Sequence, residues 1–180
     1  MKLALLACLP LALAACGTIP VGSAPLPDVE VVVPPEVPNV PLPLDNVVIY
    51  QKQNYFGQQG LPSLVNRVSI QGRAEYAGQG DVRTVGVYLR PNLSGANCFD
   101  LSQYGAQYVV CSASGEDGYG VGTLEFPASQ PKVTNFTLDS RKLIDAARAG
   151  SGYFGMKVGS GGVVAGDTLK LTNMRAVAKF

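Results

Sequence analysis

The chain has no histidine and no tryptophan in 180 residues. Without histidine there is no imidazole base, no His-containing catalytic triad and no His-ligated zinc or copper site. Without tryptophan, a sugar-binding face loses its largest stacking ring. Charge is scarce as well: Asp, Glu, Lys and Arg make up 15 % of the chain and sum to a formal +1. That is too mild for nucleic-acid binding, which shows as a clustered basic patch. Neither a Gly-x-Ser-x-Gly nucleophile elbow nor a phosphate loop ending in Gly-Lys-Ser or Gly-Lys-Thr occurs. Cysteine is limited to Cys8, Cys16, Cys98 and Cys111.

What is present begins at the N-terminus. Lys2 is the only charge before Asp28, and an apolar run follows it to Leu13. The run is too short to cross a hydrocarbon core of about 30 Å as a helix, and Pro10 interrupts it. It has the form of an export signal. It ends at Leu13-Ala14-Ala15-Cys16, which resembles the lipobox of bacterial lipoproteins. The resemblance implies removal of residues 1–15 and acylation of Cys16, and so a membrane partner reached through a lipid anchor. Gly17 follows the cysteine where an Asp would retain a lipoprotein at the inner membrane, so the resemblance favours the outer membrane of a two-membrane envelope.

Residues 16–45 read as a lipidated N-terminus and proline-rich tether. Eight of the thirteen prolines fall there, favouring an extended polyproline II spacer of roughly 90 Å at about 3.1 Å per residue. The valine-rich stretch Val29 to Val33 leaves a second reading open, an edge strand or docked segment, though a passive stalk is the expectation. The tether carries Asp28, Glu30, Glu36 and Asp45 without a Lys or Arg, whereas thirteen cations and nine acids follow it, a net of +4.

Residues 46–180 are expected to form one domain. Short alternating apolar runs at 47–50, 65–76, 85–89, 107–111, 119–126, 133–138, 153–158 and 168–180 are separated by Gly-rich turns. Gly72 keeps phase within its run as a candidate bulge. One segment departs from period two: Ser140 can cap a short helix with Leu143, Ile144 and Ala147 on one face and Gly150 as its C-terminal cap. The expected fold is an all-β antiparallel sandwich with one short helix, generically similar to jelly-roll or carbohydrate-module topology. A terminal Phe180 resembles the closing strand of outer-membrane β-barrels. There Leu169 and Leu171 share one phase and Met174 the other, which a bulge near Asn173 reconciles.

With Cys8 removed and Cys16 acylated, Cys98 and Cys111 are expected to pair in an oxidising compartment. Tyr50, Tyr55, Phe56, Tyr104, Tyr108 and Tyr119 form a candidate binding surface, tyrosine offering a rigid ring and a polar tip; the same residues are equally at home in a sandwich core. Glu116 and Asp117, in a Gly-rich turn, could supply oxygens to calcium, though they lack regular loop spacing. No cofactor and no catalytic residue are expected. A glycoside hydrolase needs two facing carboxylates, and nothing in the sequence selects a pair. The expected role is therefore non-catalytic binding or structure in the cell envelope, toward another envelope protein or a cell-wall or surface polymer. A carbohydrate-binding module, a glycan-active enzyme and a small β-barrel are the alternatives.

Overall fold

A computed structural model describes residues 20–33, 46–57 and 65–179. All eight alternating runs form strands: β3 (Val47–Gln51), β4 (Arg67–Ala77), β5 (Thr84–Arg90), β7 (Tyr108–Ser112), β8 (Gly120–Glu125), β9 (Lys132–Asp139), β10 (Tyr153–Ser160) and β11 (Thr168–Lys179). Three more join them: β1 (Pro20–Pro25), β2 (Val29–Val32) and the short β6 (Cys98–Asp100). One sheet runs β2-β11-β4-β9, with β1 continuing along the same edge of β11. The other runs β6-β7-β3-β10-β5-β8, and all pairings are antiparallel. With β6 and β7 set aside as an insertion, β2-β11-β4-β9 facing β3-β10-β5-β8 is the two-Greek-key order of a jelly roll. The strands form two separate sheets, which overturns the barrel reading.

The first strand of the roll comes from the segment expected to be tether. Val29, Val31 and Val33 are buried while Glu30 and Val32 face out, the period-two pattern of a half-buried strand. On the outer face Glu30 pairs with Lys170 at 3.3 Å across the β2–β11 ladder. Prolines at both ends of β1 are tolerated because β1 is an edge strand, whose outer donors have no ladder to complete. The passive-stalk expectation is therefore corrected for residues 20–33. Residues 34–45 lie outside the described residues, as does Cys16.

β11 carries a bulge where its alternation changes phase. Its register against β4 slips between Thr172 and Arg175, and Asn173 takes the left-handed φ of 53°. The Asn173 amide donates to Asp28 Oδ1 at 3.2 Å, in the link between β1 and β2. Leu169, Leu171 and Met174 consequently all point into the core. Gly72 is not itself the bulge. It lies opposite this slip, and a Cβ there would come within 2.9 Å of the Phe136 ring.

One end of the sandwich is closed by α1 (Arg141–Ala149). Ser140 accepts from the Lys142 amide, and Gly150 ends the helix at a φ of 64°. Leu143, Ile144, Ala146 and Ala147 are buried over β4 and β5; fully burying each of the two large side chains contributes about 2 kcal/mol. At the opposite, loop end, the buried carboxylate of Asp167 accepts from the Tyr76 hydroxyl and the amides of Gln79 (2.9 Å), Gly80 (3.2 Å) and Val164 (2.7 Å). Burial alone would raise its pKa, but these four donors outweigh it and hold the carboxyl below its ordinary value. Beside it, buried Lys132 donates to Asp81 Oδ1 (2.7 Å) and to the Val82 carbonyl (3.0 Å).

Candidate functional site

The outer face of the six-stranded sheet carries a second, smaller core. Alternation turns Val48 and Tyr50 of β3, Val109 and Cys111 of β7, and Tyr88 and Arg90 of β5 away from the sandwich interior. The insertion of residues 91–119 folds over them. Within it Cys98 and Cys111 stand opposite each other in the β6–β7 ladder and form a disulfide, as expected. Gly155 of β10 pairs with Tyr50, whose ring occupies the space a side chain there would need.

Arg90 is the centre of this layer and is 8 % exposed. Its Nη1 lies 3.4 Å from Glu116 Oε1 and 2.7 and 3.2 Å from the sulfurs of Cys98 and Cys111. Nη2 donates to the Ser94 carbonyl at 3.1 Å. The guanidinium stacks over Tyr119, 4.9 Å from its centroid, and lies 5.8 Å from that of Tyr50. Glu116 Oε2 accepts from the Tyr50 hydroxyl at 2.5 Å. Burial, then the adjacent Glu116, pushes the Tyr50 phenol well above its ordinary pKa, so it remains a donor. Cation, carboxylate, phenol and disulfide together hold the 91–97 loop down on the sheet.

That loop is one wall of a groove of about 430 Å³. Leu93, Val109 and Cys98 give it an apolar lining; Lys52, Asn92, Ser94, Asp100 and Tyr153 supply polar groups. Lys52 and Asp100 are set as a pair, Nζ to Oδ2 2.6 Å, and Asp100 Oδ1 accepts from the Ser102 amide at 2.8 Å. The Lys52 contact first, then the Ser102 amide, lowers the Asp100 pKa to about 2. Asp100 is the one carboxylate among the described residues lining this groove, and it is matched to Lys52. The lining sets polar groups around an apolar patch, a composition found in ligand sites.

The tyrosine cluster expected as a binding surface divides differently. Tyr50 is fully buried, and Tyr55 and Phe56 pack in the main core against Phe154 at centroid distances of 5.1 and 6.2 Å. Burial pushes the Tyr55 phenol up to about 12. Tyr108 is half-buried and its hydroxyl meets the β2 backbone, accepting from the Val32 amide at 3.3 Å. Tyr119 is half-buried under Arg90, and the Tyr104 side chain lies outside the described residues. The expected aromatic face is thus corrected: four of its members are spent on packing and internal hydrogen bonds. The calcium reading is corrected too, because Glu116 points inward and is taken by Arg90 and Tyr50, leaving Asp117 alone at the surface. Lys52, Asn92, Ser94, Asp100 and Tyr153 carried no signal in the sequence. They come from four separate segments that meet only through the order of β6, β7, β3 and β10.

No protein-family model matches this chain, and neither a curated protein nor a solved structure matches it.

Proposed function

We propose that this chain is a lipid-anchored cell-envelope protein, attached through Cys16, whose jelly-roll domain binds a hydroxyl-rich cell-wall or surface polymer without catalysis. The observation that carries the binding role is the groove beside the disulfide. Two parts of its wall are held in place: Asp100 by Lys52 and the Ser102 amide, and the 91–97 loop by Arg90. Preorganised donors and acceptors reduce the ordering cost of binding, which suits a ligand made of repeated hydroxyls. The lipobox-like Leu13-Ala14-Ala15-Cys16 supports the anchor, and Gly17 in place of an Asp after it supports the outer membrane of a two-membrane envelope.

The test is retention on purified insoluble cell wall and on immobilised surface polysaccharide, comparing the wild-type protein with Asn92→Ala/Tyr153→Ala. The double variant is expected to bind about tenfold more weakly, the loss of two hydrogen-bonding contacts at roughly 0.7 kcal/mol each. Equal retention of both proteins, or none of either, would move the role to a protein partner, to be sought by crosslinking in intact cells.

A further inference from the structure

The chain enters the domain at the helix end. Four peptide steps separate Cys16 from Pro20, and in any conformation they reach no further than about 14 Å. Pro20 stands opposite Lys179, and Lys179 opposite Arg67, so the entry point and two cations form one row across three strands. Next to this row is a hollow of about 530 Å³ lined by Arg67, Asp139, Ser140, Arg141 and Arg148.

Charge at this end is lopsided. Arg67 is committed to Asp139, which it contacts through Nε at 2.9 Å and again through Nη2. Exposed Arg141 and Arg148 and half-buried Lys179 then face Asp145 as their only helix-borne acid. Arg148 Nη2 donates to the Val65 carbonyl at 2.9 Å, which orients the guanidinium without neutralising it. The loop end has the opposite balance, with Asp81, Glu125 and Asp167 against Arg83 and Lys132.

We propose that the helix end of the sandwich rests on the bilayer, with the hollow beside α1 taking the phosphate-bearing headgroup of an anionic phospholipid. This rests on the acylation of Cys16 proposed above. The short leash holds the end within reach of the headgroups, where cations act over about one Debye length. The arginine forks match phosphate oxygens in geometry as well as charge.

The test uses the full acylated protein in vesicles, with a dye at Ala149→Cys beside α1 or at Val164→Cys at the exposed loop end, and a headgroup-bound nitroxide lipid as quencher. In vesicles containing phosphatidylglycerol the dye at 149 is expected to be quenched at least about threefold more than the dye at 164. Added salt, Arg141→Glu/Arg148→Glu, or replacement of phosphatidylglycerol by phosphatidylcholine should each shrink that ratio. The mass of the N-terminal peptide reads the anchor separately. A lipid-bearing Cys16 with the two dyes quenched equally, or with a ratio indifferent to lipid charge and salt, overturns the docking alone. An unmodified Cys16 overturns the acylation and the docking with it.

Discussion

Arg90 and Glu116 are both nearly excluded from solvent, with side chains 9 % and 7 % exposed. A buried pair of this kind adds little over a well-packed apolar pair, but removing one partner strands the other charge. Glu116→Gln and Arg90→Met are therefore each expected to cost about 3 kcal/mol in urea unfolding, while the double variant costs markedly less than their sum. Additive costs would mean that the two charges do not answer each other. The sequence did not single out Arg90, and it offered Glu116 only as part of a Gly-rich turn. Twenty-six positions separate them, and no local pattern reports a contact made by folding an insertion back over a sheet. The tyrosines were ambiguous for a related reason. Period two tells which residues share a face but not which face is covered, and here both faces of β3 are.

At the scale of elements, β2 is the feature that the composition concealed. The valine-rich stretch Val29 to Val33 hinted at it, but proline density around it argued for an unpaired spacer. What decided the matter was distant: β11 presents a long edge of backbone donors and acceptors with a phase change at Asn173, and β1 and β2 pair with its two halves. β6 was hidden by its length of three residues. β1, like β2, lay inside the proline-rich segment; the eight strands from β3 onward that were expected as apolar runs were legible from those runs, and α1 from its apolar face and its two caps. Val29 is completely buried, so Val29→Asp should abolish cooperative folding, and a chain starting at Asn46 should aggregate through the bared edge of β11. Circular dichroism melts and gel filtration would check both; a soluble, cooperatively melting chain from Asn46 would show β2 to be dispensable.

For the molecule as a whole, the missing histidine has a thermodynamic counterpart. Asp81, Asp100 and Asp167 have folded pKa values below the ordinary one, so their contribution is present above about pH 4 and is lost as pH falls through the folded values. Tyr50, Tyr55 and Tyr76 are raised, so theirs is present below about pH 10 and is lost as pH rises toward the folded values. Unfolding free energy should therefore be nearly flat from about pH 5 to 9 and fall on both sides. Asp167→Asn should lower the plateau by about 2 kcal/mol and soften the acid slope, because the amide is a poorer acceptor for four donors. A stability curve with a step near pH 6.5 would contradict this assignment. The edge position of β1 bears on a different property, the response to load. A pull on the chain ahead of Pro20 runs along the strand axis, while the five β1–β11 residue pairs lie across it. Tension therefore shears the rungs together instead of unzipping them in turn, which makes β1 a mechanical clamp.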